Sequence, residues 1–141
     1  MYPPAEGFVG YSSPAAVVEG SRIHLFYSVA QYRKGANPEW RQVAIHHASS
    51  ADGLSAFVED EKPVLSASSV GWASGEVLAP SPVIEDGKLK LWFSGHVPNS
   101  QLAPLIQRGF KGPEFGIGIA TIGLDTFRGD GAAKEQSGGS P

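Results

Sequence analysis

Cysteine is absent from all 141 residues. A disulfide framework, a thiolate zinc site and a cysteine nucleophile are therefore excluded together. Charge is also sparse: Lys and Arg number 11, Asp and Glu 14, and the net charge is −3. The basic residues are scattered, so the electrostatic footprint that nucleic-acid binding requires is missing. No apolar run approaches the ~20 residues needed to span a bilayer. The opening Met1-Tyr-Pro-Pro has neither the basic start nor the apolar stretch of a signal peptide. These absences lead to the expectation of a soluble, cytoplasmic protein without nucleic-acid or membrane partners. Helical signals are missing too, since no window of a dozen residues keeps a 3.6-residue period without Gly or Pro inside it.

The chain is rich in turn formers. Its 18 glycines and 11 prolines make up about a fifth of the sequence without any fixed period, which excludes collagen and favours a many-turned β protein. Hydrophobic residues at 41% are enough to drive folding. Between the turns the apolar residues alternate. In Arg22-Ile-His-Leu-Phe-Tyr-Ser28, Ile23, Leu25 and Tyr27 share one face, and His24 and Phe26 share the other. Leu89, Leu91 and Phe93 alternate in the same way within Lys88–Ser94. Gln42–Ala48 and Phe115–Thr121 are further strand candidates.

A repeat organises these strands. Pro14–Ser28 aligns without a gap on Pro80–Ser94, 66 positions later, with Val17/Val83, Val18/Ile84, Glu19/Glu85, Leu25/Leu91 and Ser28/Ser94 keeping their character. Ala44–Ser49 then matches Gly116–Thr121 at an offset of 72. Each unit reads as four antiparallel strands, the pattern of a propeller blade. The expected divisions are an arm over 1–11, a first blade over 12–66, a second over 67–128 and a flexible tail over 129–141. The first blade takes strands near 14–19, 22–29, 41–48 and 56–65. The second takes strands near 80–85, 88–95, 115–121 and 125–128. Long loops over 32–40 and 97–113 join the second and third strand of each blade. In the later loop Leu102, Leu105, Ile106 and Phe110 are candidates for burial against a neighbouring subunit.

These motifs resemble the five-bladed β-propellers of glycoside hydrolase families 43 and 32. The resemblance runs over about 12–127. It rests on Val83-Ile-Glu-Asp-Gly-Lys-Leu-Lys-Leu-Trp-Phe-Ser-Gly95, Ala48-Ser-Ser-Ala-Asp-Gly-Leu-Ser-Ala-Phe57 and Gly116-Ile-Gly-Ile-Ala-Thr121. It implies a glycosidase-type funnel in which two opposed carboxyl groups cleave a glycosidic bond. The same resemblance places the catalytic base at the residue before a blade-opening proline, which is Ser13 here. It places the acidity-tuning Asp of Ala-Pro-Asp at Ser81. A serine does not replace a carboxylate in acid–base work at neutral pH. No Glu-Pro or Glu-x-Pro opens a blade to supply the acid.

The expected function is accordingly a non-catalytic, self-assembling propeller that binds a small polar ligand, a saccharide for preference. The alternative is a glycoside hydrolase that uses other carboxylates, with Glu76 and Asp86 the first suspects. Ser12, Ser13, Trp72, Glu76 and Ser81 are the candidate ligand-binding residues, and Trp92 is the candidate blade-to-blade core residue. No metal or cofactor is expected, since His46 and His47 point to opposite faces of one strand and His24 sits in mid-strand. Two blades leave apolar faces uncovered, so the fold class is all-β, completed by homo-oligomerisation. A trimer giving six blades is favoured over a dimer giving four.

Overall fold

The computed structural model describes residues 5–73, 75–97, 107–108 and 115–125. Two antiparallel sheets account for most of them. The first contains β1 (Val9–Glu19), β2 (Arg22–Arg33), β3 (Glu39–Ser50) and two short outer strands, β4 (Val58–Glu59) and β5 (Leu65–Ser66), both paired with β3. The second contains β6 (Glu76–Glu85), β7 (Lys88–His96) and β8 (Phe115–Gly123) in that order. Two 3-10 turns, Ala67–Ser69 and Gly71–Ala73, lead from one sheet to the other. No helix among the described residues is long and apolar enough to cross a membrane.

The 66-residue repeat is visible in the hydrogen-bond register. β1 carries one extra residue against β2 between Ser12 and Ala15, and β6 carries one against β7 between Leu78 and Ser81. These bulges occupy equivalent positions. Ser13 and Ala79, each directly before a proline, have left-handed φ angles of 50° and 53°. Such a conformation costs a residue with a Cβ of the order of 1–2 kcal/mol, yet both repeats adopt it. Leu25 faces Ala48 across β2–β3, and Leu91 faces Ala120 across β7–β8, as the two offsets require.

The hairpin turns follow from local chemistry. Asp86 and Gly87 both have positive φ at the β6–β7 turn, the arrangement that best matches the twist of two paired strands. Gly53, at φ +72°, takes a conformation that disfavours a side chain, and a Cβ there would also force Ile23 Cδ1, 2.5 Å away, to move aside. The Asp52 carboxylate accepts hydrogen bonds from the Ser55 hydroxyl and from the backbone N–H groups of Leu54 and Ser55. These bonds hold its pKa down at about 2.

The core lies between the two sheets. Phe26 and Ile45 from the first meet Val77, Leu89, Leu91 and Phe93 from the second, with Ala67, Ala73 and Leu124 closing the edges. Alternation determines which residues take part. The His24, Phe26 and Ser28 face of β2 turns inward, while on β7 the inward face is Leu89, Leu91 and Phe93.

Several sequence expectations are revised. β1 starts at Val9 and reaches into the segment expected as an arm. β2 runs to Arg33 and β3 starts at Glu39, so the first long loop shrinks to 34–38. The fourth strand of the first sheet is only the two fragments β4 and β5. In the second sheet, Leu124 and Asp125 leave strand geometry, and 126–128 fall outside the described residues. Leu102, Leu105, Ile106 and Phe110 also lie outside them. Trp92 is not core within this chain: it is 46% exposed on the outer face of the second sheet.

A buried histidine pair sits in the inter-sheet face. His24 Nδ1 lies 3.0 Å from His47 Nε2, and the rings stack. His47 Nδ1 reaches Asp60 Oδ2 at 2.8 Å, and His24 Nε2 lies 3.5 Å from Glu19 Oε2. Three contacts in line need three protons, whereas two neutral imidazoles carry two. A fully bonded chain therefore corresponds to one imidazolium between two carboxylates. Burial opposes that charge and is the largest influence on both rings. It holds both histidines below the ordinary 6.5, with His47 acting on His24 and Arg22 on each ring in the same direction.

Two outcomes follow from this core. Phe26→Ala removes a fully buried ring and should lower the free energy of urea unfolding by about 3–5 kcal/mol. The histidines bind protons less readily folded than unfolded, so stability is retained above pH 6.5 and falls as the pH drops below it. Urea midpoints should decline from pH 7 to pH 5, and His47→Gln should flatten that decline.

Candidate functional site

A cleft of about 300 Å³ opens at one end of the first sheet, lined by Gly10, Tyr11, Ser12, Ala30, Trp40 and Gln42. The register brings these residues together, because Gly10 faces Ala30 across β1–β2 and Ala30 faces Gln42 across β2–β3. Trp40 forms the wall. Its ring meets Phe8 and Tyr32 edge-on at centroid distances of 6.1 and 5.5 Å, which fixes its orientation. Gly10 provides the space, since a Cβ there would stand 3.0 Å from the indole. Trp40 remains 44% exposed, so part of the ring is open to a ligand.

Polar groups adjoin this wall. The Ser12 hydroxyl donates to Gln42 Oε1 at 3.3 Å, and the Gln42 backbone N–H donates to Glu76 Oε1 at 2.8 Å. β6 is thereby tied to the first sheet, and a second tie runs from the Ala79 N–H to Ser28 Oγ at 3.0 Å. A hydrogen bond to a carboxylate is among the stronger ones, worth roughly 1.5–3 kcal/mol. Glu76 thus stands beside the cleft with one oxygen already occupied.

The sequence-derived candidates do not converge on one spot. Ser12 lines the cleft, and Ser13 is its exposed neighbour at the strained bulge. Ser81 faces Trp92 across β6–β7, on the outer face of the second sheet. Trp72 lies on the opposite, inner face. Its ring stacks on Phe93 at 5.9 Å and rests on a floor of glycines, where a Cβ at Gly95, Gly116 or Gly118 would come within 3 Å of it. Trp72 and Ser81 therefore cannot hold one ligand within a single chain. Asp86 is at the far end of β6 from Glu76, about 30 Å away at ~3.3 Å per strand residue. Those two carboxylates cannot flank one glycosidic bond, which needs a separation of about 5–10 Å.

The sequence reading did not pick out Gly10 and Gln42 as ligand residues, and it placed Trp40 in a loop. Trp40 and Gln42 join the face of Ile45 and His47 only through the register shift between Val29 and Ala30, where β3 carries one extra residue, so alternation alone could not have found them. No group of three or more potential metal ligands occurs among the described residues. A smaller polar cluster joins Tyr27, Glu59 and His46: the Tyr27 hydroxyl donates to Glu59 Oε1 at 2.5 Å, and His46 Nδ1 lies 3.3 Å from the same oxygen. Burial, then the bond to Glu59, pushes the Tyr27 phenol above its ordinary 10.

No protein-family profile and no curated protein sequence matches the chain. Solved structures do. The GH43_1 enzyme from Xanthomonas citri superposes with a TM-score of 0.59 at 20% identity, over 79% of this chain and 29% of that one. The same enzyme complexed with xylose gives 0.59 at 21% identity, over 79% and 28%. A GH43 β-xylosidase/α-arabinofuranosidase from a compost microbial metagenome, in complex with xylotriose, gives 0.58 at 19% identity, over 79% and 31%. The chain thus has the fold of the GH43 β-propeller enzymes and spans just under a third of their length.

Proposed function

We propose that the chain is a non-catalytic, glycosidase-like propeller unit that binds a short saccharide in the Trp40 cleft. The observation that carries this reading is the fixed indole of Trp40 over Gly10, set beside the Ser12–Gln42 hydrogen bond. An apolar ring face with hydroxyl and amide groups alongside suits a sugar, whose C–H face and hydroxyl rim are presented together. The volume lies at the lower end of ligand clefts, roughly 300–1,000 Å³. Xylose and xylotriose, present in the complexes of the GH43 neighbours, are the natural first ligands to test. Loss of hydrolysis is supported by chemistry. None of the six lining residues is acidic, and serines stand at the two positions where the family resemblance implies aspartates.

The hydrolase reading keeps one favourable observation, the carboxylate of Glu76 next to the cleft. It requires a second carboxyl group on the other side of the bond, a role that Asp86 does not fill.

Titration with xylose and xylotriose, followed by tryptophan fluorescence, separates these readings. Saturable binding is expected. It should weaken at least tenfold in Trp40→Ala and several-fold in the milder Ser12→Ala, while Trp72→Ala stays within twofold of the parent. Circular dichroism serves as the folding control. An aryl xyloside should release no phenol, whereas release that disappears in Glu76→Gln would establish the hydrolase instead.

A further inference from the structure

We infer that the chain self-associates head to tail, with the outer face of the second sheet of one copy packing on the outer face of the first sheet of another. The internal repeat defines both surfaces. Within the chain, the first sheet contributes Val17, Phe26, Ile45 and His47 to the inter-sheet contact. At offsets of 66 and 72 their equivalents are Val83, Trp92, Ile117 and Ile119. Phe26, Ile45 and His47 are 0% exposed, whereas Trp92, Ile117 and Ile119 are 46%, 77% and 47% exposed. The register puts these four on one face: Trp92 faces Ile119, Ser94 faces Ile117, and Val83 faces Lys90. The second sheet therefore presents to solvent the same surface that the first sheet buries.

The complementary surface is present as well. The second sheet packs inward through Ile84, Leu89, Leu91 and Ala120, whose equivalents on the first sheet are Val18, Ile23, Leu25 and Ala48. Val18 faces Ile23 and Leu25 faces Ala48, so these too share one face. It is the face opposite Phe26, and no described element of the second sheet packs on it. Val18 is 60% exposed there, Ile23 and Leu25 are half-buried with Ile23 against the Gly53 turn, and Ala48 is buried, so Val18 and Ala16 are the open part of this face. One chain thus holds one completed sheet-on-sheet contact and the two halves of another. A second copy is the occupant that supplies both missing halves.

A polar contact fixes the register of this docking. Inside the chain the Ala79 N–H donates to Ser28 Oγ. Ser28 is equivalent to Ser94, and Ala79 to Ser13, which shares its left-handed φ. Between copies, the backbone N–H of Ser13 would meet Ser94 Oγ. The interface is heterologous, because each copy uses two different surfaces, and repetition gives a ring where the rotation between copies closes. Three chains make a six-sheet ring and two make a four-sheet ring, both within the range of propellers.

The test is solution mass by light scattering at about 100 µM, using the full chain. A mass of two or three times 14.8 kDa is expected, and a folded monomer overturns the proposal. Val18→Asp blocks one surface and Ile119→Asp the other, since an unpaired charge in an apolar contact is costly. Each variant alone should run as a monomer. Mixed in equal amounts, they should form a 1:1 dimer that grows no further, because each retains one intact surface. If either variant keeps the parental mass, or the mixture stays monomeric, the head-to-tail arrangement is wrong. Ala16→Asp and Ile117→Asp, both at exposed positions of the same faces, form a second pair should circular dichroism show that a first variant has not folded.

Discussion

A sheet that is apolar on both faces needs two neighbours, and the described residues form one sheet–sheet contact between two such sheets. That imbalance governs the rest of the structure. The chain places its best-packed side chains, Phe26, Ile45, Leu89 and Leu91, in the one contact it can complete. It leaves Val83, Trp92, Ile117 and Ile119 in solvent. At about 25 cal/mol per Å² of apolar surface removed from water, covering those faces would stabilise the molecule further. The ordinary rule that an isolated exposed apolar residue means little does not reach this case. The exposed residues are contiguous across three strands, and their repeat equivalents are the core.

The polar ties between the sheets set the geometry that the apolar contact alone would leave free. Hydrophobic burial has no direction, so a blade could slide along its neighbour at little cost. Glu76 on the Gln42 amide and Ser28 on the Ala79 amide each tie β6 to one position on the first sheet. The Gln42 backbone also belongs to the residue whose side chain accepts from Ser12. Inter-sheet alignment and cleft shape are therefore coupled through one residue. The histidine pair is a different kind of element. It buries two ionisable rings between Glu19 and Asp60, and it makes the same interface sensitive to protons.

Much of the fold was legible in the sequence, because alternation and repetition are local and arithmetical. Ile23, Leu25 and Tyr27 against His24 and Phe26 stated the two faces of β2. The 66-residue offset stated that β6 and β7 copy β1 and β2, and the structure adds the matching bulges at Ser13 and Ala79. Which face would be inside was not legible. Leu25 and Phe26 are equally apolar, and only the order of the sheets in space decides that Phe26 is covered. Trp92 was misplaced for the same reason. It has a core residue's identity on a face that is 46% exposed at this position and that no other sheet among the described residues covers. The cleft was legible only in part. Ser12 was anticipated, but Trp40 and Gln42 depend on β2 and β3 extending to Arg33 and Glu39. The prolines and glycine nearby suggested a loop instead.

The strained bulge at Ser13 deserves a physical account in its own right, because the GH43 resemblance implies a catalytic carboxylate at that position. A left-handed residue before proline looks like strain retained for chemistry, and the serine side chain supplies none. The repeat shows what else the strain does. At Ala79, whose methyl side chain has no acid–base chemistry either, the same conformation aims the backbone N–H at Ser28 Oγ in the neighbouring sheet. The backbone geometry therefore has a docking role that is independent of the side chain it carries. A bulge that fastens one sheet to the next through its backbone needs no particular side chain to do so. Ser13 shares the φ angle and the repeat position of Ala79, so the strain there has a structural reading that does not depend on what the serine hydroxyl does.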